Sequence, residues 1–299
     1  MVKIDLITGF LGAGKTTFLK NYVRCLKDKG ENICILENDY GAINVDMMLI
    51  SNLGVDAEMV AGGCDLDCHK RRFKTKLISM AMRGYTRIIV EPSGIYDTDE
   101  FFDTLYEEPI DSMYEIGNVI CVFDSTIKKI SDESKYFITS QAAVSGAIVL
   151  SKCDLEESNK ALAISILKDS LKENKCERNV DNIIFEAKDI NNYINCGYSN
   201  FPYQKKNIID NNNYDSLYFM NKSFKKKEIL NIINELFNNN SYGHVIRIKG
   251  YFKENDAWYN VNAFNLLTEI NPISDGQDVI IVIGENMNND KINELIERK

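Results

Sequence analysis

The sequence predicts an α/β fold, with a doubly wound, mostly parallel sheet followed by a small α+β domain. Short runs rich in Val and Ile alternate with helical patterns, and the first two such runs enclose one helix as a βαβ unit. A chain of 299 residues with 44% hydrophobic and 26% charged residues can bury one or two ordinary cores. The predicted boundaries are a first domain at 1–200, a linker at 201–215 and a second domain at 216–299.

The strands of the first domain are predicted from continuous apolar runs, as expected for strands buried on both faces of a parallel sheet. Between the first two runs, residues 16–26 place Phe18, Leu19, Tyr22 and further apolar side chains at helical spacing. The runs are 3–8, 32–38, 87–91, 118–124, 146–152 and 182–187.

The linker and the second domain follow from a change of composition. From about residue 191 to 215 the chain is rich in Asn, Tyr and Lys without periodicity. Beyond it, strand and helix patterns predict a small α+β domain that contains no cluster of residues at metal-ligand spacing. Its predicted elements are strands at 217–220, 244–250, 258–264 and 278–284, a helix at 228–237 and a final helix.

Charge and cysteine content argue against several classes of protein. A net charge of −9 argues against nonspecific binding to nucleic acid or to a membrane, although residues 69–76 form a local basic patch. No apolar run reaches the roughly 18 residues that a membrane span needs, and the first residues do not resemble a secretory signal. Eight scattered cysteines do not suggest a disulfide framework. We therefore expect a cytoplasmic protein with reduced thiols.

The first motif, GFLGAGKTT at 9–17, fits the phosphate-binding loop pattern Gly-x-x-x-x-Gly-Lys-Thr. It follows a predicted strand and begins a predicted helix, which favours this interpretation over a glycine-rich turn. Backbone N–H groups would surround the phosphates, Lys15 would neutralise the β and γ oxygens, and the Thr16 hydroxyl would ligate Mg²⁺. The predicted nucleotide contacts here are Gly9, Gly12, Ala13, Gly14, Lys15, Thr16 and Thr17.

The sequence SKCD at 151–154 indicates which base is bound. Phosphate-loop GTPases carry Asn-Lys-x-Asp at this point, where the Asp accepts from guanine N1 and N2 and the Lys stem covers the ring. Lys152 and Asp154 match this pattern, whereas Ser151 replaces the Asn. The motif favours guanine, and a strand end with a helix-capping Asp is the alternative.

The ordered motifs resemble the CobW-like family of metal-handling P-loop GTPases, which includes the hydrogenase and urease nickel-insertion GTPases. The second domain is also similar, at 246–252 and 279–287, so the resemblance covers nearly the whole chain. The chain has Asp39 in place of the family's Glu and lacks its Cys-x-Cys-Cys motif. The matching motifs are GFLGAGKTT (9–17), ENDYGAINVD (37–46), GGC (62–64), EPSG (91–94) and QAAVSGAIVLSKCDL (141–155).

The resemblance implies roles for residues beyond the phosphate loop. Asp39 and Asp46 correspond to the first switch, where carboxylates hold Mg²⁺ or its waters, while Glu91 and Gly94 correspond to the second switch near the γ-phosphate. Lys15, Asp39 and Glu91 are thus the expected catalytic residues, and Thr16, Asp39, Asp46 and Glu91 the expected Mg²⁺ site. No Arg or Gln is clearly placed to stabilise a transition state, so we expect slow intrinsic GTP hydrolysis.

The sequence GGCDLDCHK places two thiols, Cys64 and Cys68, four residues apart with His69 beside the second. These are soft and borderline ligands at a spacing seen in zinc sites, and the basic residues that follow would favour thiolates. A closed site needs four ligands, so a motif that has lost its metal is the alternative. Cys25, Cys34, Cys121 and Cys153 lie in apolar runs or strand ends and are expected to be packing residues.

Together these motifs predict a GTPase that couples its nucleotide state to metal transfer. Its expected ligands are GTP or GDP, Mg²⁺, and Zn²⁺ or another transition metal. Its expected partner is a client metalloprotein bound through the second domain, and a homodimer is left open. The alternatives are a GTP-switched activator of a metallo- or corrinoid enzyme without its own metal site, a P-loop small-molecule kinase, and a nucleotide-gated binding module.

Overall fold

The chain forms two compact units, Met1–Lys206 and Asn207–Lys299, each considered by itself below. The structure is a computed structural model. It describes residues 1–39, 53–61, 66–156, 158–205, 214–222, 224–264, 267–274 and 276–297. Within these ranges, no helix combines the length and the apolar character that crossing a membrane requires.

The first unit is built on a seven-stranded sheet with the order β3-β2-β4-β1-β5-β6-β7, in which every strand pair is parallel. The chain winds from the central β1 toward one edge and then toward the other, which confirms the predicted doubly wound fold. The strands are β1 Val2–Thr8, β2 Ile33–Asp39, β3 Asp56–Ala61, β4 Arg87–Pro92, β5 Tyr114–Asp124, β6 Ala147–Ser151 and β7 Ile184–Glu186.

Helices cover both faces of this sheet because the strands present apolar side chains to both. Ile4 and Leu6 of β1 pack in one core with Phe73 and Leu77, whereas Ile7 packs in the other core with Leu19. The helices are α1 Lys15–Asp28, α2 Leu66–Ala81, α3 Thr98–Leu105, α4 Ile110–Met113, α5 Asp132–Val144 and α6 Lys160–Glu173. Short 3₁₀ turns lie at Asp181–Ile183 and Ala187–Asn192.

A buried polar network fixes the central strand. The Asp5 carboxylate accepts hydrogen bonds from Arg87 Nη1 at 2.7 and 2.9 Å and from Tyr22 Oη at 2.8 Å. It also accepts one from the backbone N–H of Asn118 at 2.7 Å. Burial raises the pKa of Asp5 above its ordinary value, and the Arg87 charge opposes that rise. The network links β1, β4 and β5, and removing Arg87 alone would leave an uncompensated buried carboxylate.

The second unit contains a five-stranded antiparallel sheet with the order β11-β10-β9-β12-β8. Two helices pack on one face, where Ile229, Ile233, Ile292 and Phe252 share a core. The elements are β8 Tyr214–Met220, α7 Lys226–Asn238, a 3₁₀ turn Asn240–Tyr242, β9 His244–Glu254, β10 Ala257–Phe264, β11 Leu267–Ile273, β12 Val279–Glu285 and α8 Asn289–Glu297.

Every predicted strand is present, and the structure adds two strands at sheet edges that apolar runs did not indicate. β3 has the sequence DAEMVA, and β11 has the sequence LTEINPI. Edge strands are half-exposed and therefore need no continuous apolar run, and proline is tolerated there because one side of the strand needs no N–H donor. The domain boundaries at 200 and 215 stay a prediction.

Candidate functional site

The phosphate loop lies where β1 ends and α1 begins, between the carboxyl ends of β4 and β5. Strand order reverses at this point, and such crevices bind ligands in open parallel sheets. Gly9 has φ +149°, and a Cβ atom there would lie 2.3 Å from the Val122 carbonyl oxygen. The loop can therefore take this path only with glycine at position 9.

The start of α1 is arranged to receive an anion. Its N-cap is Gly14, which has φ +87° and no side chain that could accept from the first N–H groups of the helix. The first turn contains no acidic residue. The first N–H groups of the helix thus point toward the loop with the positive end of the helix dipole. Ala13 and Gly12 precede them, with Gly12 at φ +74°, and Thr17 lies in the same first turn.

Lys15 and Thr16 are the first two residues of helix α1. Lys15 is only 7% exposed, and its Nζ donates to the Gly9 carbonyl oxygen at 3.0 Å, across the mouth of the loop. The Thr16 Oγ1 donates to Glu91 Oε1 at 2.8 Å. The structure therefore brings together two of the predicted Mg²⁺ ligands, a hydroxyl and a carboxylate.

Oxygen donors of this kind fit a hard cation such as Mg²⁺. Glu91 is the next-to-last residue of the fully buried strand β4 and is itself only 7% exposed, a placement that packing alone does not favour. Thr16 and Glu91 would hold a Mg²⁺ ion here, and the ion would supply charge neutralisation for a bound phosphate. Strand β2 ends at Asp39, at the same edge of the sheet as Glu91. The Asp39 side chain and Asp46 lie outside the described residues.

The EPSG segment at 91–94, the predicted second switch, packs directly on the phosphate loop. A Cβ atom at Gly94 would lie 2.5 Å from the Leu11 backbone nitrogen, so this glycine allows the two loops to touch. The Gly94 carbonyl oxygen accepts from Gln141 Nε2 at 3.0 Å, and Gln141 is fully buried in α5. Gln141 is a positioning residue that sequence reasoning did not assign, although it begins one of the matched motifs.

The SKCD segment leaves β6 beside the phosphate loop. Ser151 Oγ donates to the Ala13 carbonyl oxygen at 2.6 Å, and it also lies 3.3 Å from the Phe123 carbonyl oxygen. The hydroxyl that replaces the expected Asn therefore ties the SKCD segment to the phosphate loop. Asp154 is exposed, as a residue that contacts a base from solution must be.

Lys152 is held by Asp124, which sequence reasoning did not identify. The two side chains form an ion pair at 2.6 Å between Nζ and Oδ2, and Thr126 donates to the other Asp124 oxygen. Lys152 itself has φ +55° at the strand end. The carboxylate at the end of β5 was the available signal, because the carboxyl ends of adjacent parallel strands meet at one edge.

The last part of the GGCDLDCHK sequence, from Leu66 onward, begins helix α2 near the carboxyl end of β2. Cys68 is partly exposed in the first turn of α2, and His69 is only 1% exposed. His69 Nε2 lies 2.6 Å from Asn38 Oδ1, the residue before Asp39. The ring therefore connects helix α2, which carries Cys68, to strand β2, which ends at the start of the predicted first switch.

Cys64 lies outside the described residues, so the predicted metal site as a whole stays a prediction. Among the residues that are described, no group of three His, Cys, Asp or Glu side chains could hold a metal ion. His69 would have to ligate a metal through Nδ1, because Nε2 contacts Asn38. Burial raises the pKa of Cys34 and of Cys121 to about 12, so these two remain protonated packing residues.

Comparison with known proteins gives a consistent picture. The family model described as CobW/HypB/UreG, nucleotide-binding domain, matches residues 3–181. The zinc chaperone YeiR of Escherichia coli is 28% identical over 169 residues, which cover 54% of this chain and 50% of the relative. The zinc chaperone YjiA of Escherichia coli is 26% identical over 163 residues, 52% of this chain and 50% of the relative. The chain thus spans about half the length of these curated relatives.

Two solved structures align with this chain at lower sequence identity. The Zn(II)-bound YjiA GTPase from Escherichia coli aligns over 99% of this chain and 98% of its own, with 15% identity and a TM-score of 0.40. HypB from Helicobacter pylori in complex with nickel aligns over 65% of this chain and 84% of its own, with 18% identity and a TM-score of 0.41.

Proposed function

Because this chain belongs to the CobW/HypB/UreG family of nucleotide-binding domains, we propose that it is a GTP-hydrolysing metallochaperone. Its nucleotide state would control the transfer of a metal ion to a client protein. The phosphate loop, Lys15 and the Thr16–Glu91 pair support nucleotide and Mg²⁺ binding. Relatives named zinc chaperones support zinc as the first candidate cargo.

The observation that carries the proposal is the contact between His69 and Asn38. A metallochaperone needs its metal site to respond to the bound nucleotide, and two sites are coupled when both bias the same structural element. Asn38 precedes Asp39 in β2, its carbonyl oxygen accepts from the Ser93 amide nitrogen at 3.0 Å, and its side chain contacts His69 beside Cys68. Movement of either predicted switch segment, the one after β2 or the one after β4, would thus be transmitted to helix α2, which carries Cys68.

Each residue has a defined role in this proposal. Lys15 and the N–H groups of the loop bind the phosphates, Asp154 and Lys152 bind guanine, and Glu91 with Thr16 would hold Mg²⁺. Asp39 and Asp46 would complete the Mg²⁺ site, and Cys64, Cys68 and His69 would form the site for the transferred metal. The second unit would recognise the body of the client protein.

Anaerobic titration of the metal-free protein with Zn²⁺, once with GDP and once with a non-hydrolysable GTP analogue, tests the proposal. We expect one ion per chain in at least one nucleotide state and a different affinity in the other. Identical stoichiometry and affinity in both states would contradict the coupling, and no binding in either state would favour the GTP-switched activator without a metal site.

The guanine preference should depend on Asp154. Asp154→Asn is expected to narrow the preference for GTP over ATP by roughly 10- to 100-fold, because a charged acceptor for two guanine donors is lost. Competition binding with a fluorescent GDP analogue measures this ratio. Asp169→Asn, an exposed Asp on α6, is the control and should behave as the parent. Equal affinities for GTP and ATP in the parent would point to the kinase alternative.

Coupling between the two sites should depend on the His69–Asn38 contact. Coupling free energies in proteins correspond to factors of about 5 to 150 in affinity. His69→Ala and Asn38→Ala are each expected to bring the ratio of zinc affinities in the two nucleotide states close to one, whereas His69→Gln, which keeps an N–H donor, should retain part of it. The titration described above measures that ratio.

The same variants separate a coupling role from a ligand role for His69. If His69 only ligates the metal, His69→Ala weakens zinc binding equally in both nucleotide states and Asn38→Ala changes nothing. If the contact transmits the nucleotide state, both variants change the ratio. An unchanged ratio in Asn38→Ala would contradict the coupling role.

A further inference from the structure

Strand β3 forms one edge of the large sheet. It pairs with β2 along its whole length, from Cys34↔Asp56 to Asp39↔Ala61, and no strand lies on its other side in the part of the chain that the structure describes. An edge strand exposes N–H and C=O groups on its outer side, and an extended peptide can pair with them as an added strand.

A groove of about 740 Å³ lies between this edge and helix α2, and we call it the edge groove. Its β3 side is apolar, with Met59 37% exposed and Val60 buried against α2. Along α2 the lining residues run from Cys68 to Ser79, a length of about 16 Å at 1.5 Å per helical residue. This matches about five residues of extended chain. The edge groove therefore has the size of a short strand, and Cys68 lies at one end of it.

The wall of the edge groove is basic. Arg71, Arg72 and Lys76 line it, and both arginines are exposed. Two carboxylates near this surface, among the residues that the structure describes, each pair with two cations. Glu58 pairs with Lys76 and Arg83, and Glu107 pairs with Lys70 and Lys74.

The described side chains of this surface therefore carry more positive than negative charge, although the whole chain has a net charge of −9. Such a local patch favours an acidic occupant. An apolar floor, a basic wall and a strand edge on which no described strand lies together suit an extended segment that alternates apolar and acidic side chains.

We propose that the edge groove binds an extended, acidic segment of the client protein, which adds to β3 as a further strand. This inference rests on the proposed function, since it names where the client meets the metal-bearing helix. A strand in this position would run beside Cys68, so that ligands of the client could replace the thiolate of Cys68 without release of the ion to solvent. The second unit would hold the body of the client, and the edge groove its receiving segment.

Fluorescence anisotropy with the full chain tests the proposal and needs neither metal nor nucleotide. The probe is a fluorescein-labelled peptide of alternating Val and Asp. We expect it to bind the parent, a Val–Lys peptide to fail, and a Val–Asp peptide with alternate N-methylated amides to bind more weakly because pairing with β3 is blocked. The double variant Arg71→Glu, Arg72→Glu should lose roughly tenfold or more in affinity.

The matched control is Lys172→Glu, Lys175→Glu, which reverses two exposed charges beside a different groove. This variant should bind the Val–Asp peptide as the parent does. Absence of peptide binding by the parent, or equal affinity in the arginine double variant, would overturn the proposal. Equal affinity for the N-methylated peptide would overturn the added strand.

Two other occupants have distinct outcomes. Tighter binding of a single-stranded oligonucleotide through the same arginines would make this a nucleic-acid surface, and a dimer that the arginine variant dissociates in sedimentation would make it a self-contact. Either result overturns the proposal. Zinc and GTP affinities measured on the same preparations report the proposed function separately, so loss of peptide binding with retained metal binding would reject the edge groove alone.

Discussion

Replacement of Lys15 by alanine is expected to abolish tight nucleotide binding, with a loss of affinity for GTP and GDP of roughly 100-fold or more, equivalent to about 3 kcal/mol. The side chain is nearly buried, and its ammonium group lies against the Gly9 carbonyl oxygen at the mouth of the loop. A phosphate bound there would receive a short, charge-assisted hydrogen bond in a partly desolvated site. Since hydrolysis requires the same contact, turnover should fall below detection.

Isothermal titration calorimetry with GDP and a phosphate-release assay with GTP measure these two losses. Lys20→Ala is the matched control, because it removes the same charge from the same helix α1 without removing a residue of the loop. Circular dichroism should show the same helix content in both variants. Parent-like GTP turnover in Lys15→Ala would contradict the assignment of the phosphate loop.

Substitution of the cysteine pair should have an effect of similar size on the other site. Two thiolates that bind one ion share the ordering free energy of the site, so loss of either should weaken zinc binding severely, by roughly 100-fold or more. Cys64→Ser and Cys68→Ser are each expected to show this loss, and the double variant should bind no zinc at micromolar protein. The affinity for GDP in the absence of metal should stay that of the parent.

Anaerobic competition against a chromophoric zinc chelator gives the affinities. Cys25→Ser is the matched control, because Cys25 is also a partly exposed free thiol but lies on α1, within the core cluster that faces away from α2. If the double variant keeps the stoichiometry and affinity of the parent, the metal site is elsewhere, and the chain is a GTPase switch whose cysteine loop is a remnant.

The fold was predictable because its signals are local. A run such as RIIVEP is buried on both faces, and a parallel strand between two helical layers needs that composition. The glycine spacing of the phosphate loop is likewise local, since the backbone at Gly14 must take a positive φ. The apolar strands and the loop glycines can therefore be recognised from residue types that stand next to one another in the sequence.

The connections within the site were not predictable because they join residues far apart in the chain. Asn38 and His69 are 31 positions apart, and Ser151 and Ala13 are 138 apart, so neither contact leaves a periodic trace. Ser151 illustrates the difficulty. As a departure from Asn it argued against the guanine motif, yet its hydroxyl makes the bond that holds the motif to the phosphate loop.

No strand among the described residues covers the outer edge of β3, and the arginines of α2 would oppose pairing of this edge with the same edge of a second copy. Two copies that paired edge to edge would bring Arg71 and Arg72 of each chain toward those of the other, and these like charges would repel. Natural sheets use charged residues at their edges in the same way to avoid edge-to-edge aggregation. In the proposed edge groove, the charges that favour an acidic client segment would therefore repel the arginines of a second copy. Salt screens repulsion between exposed charges, so this protection is strongest in dilute buffer and weakens as ionic strength rises.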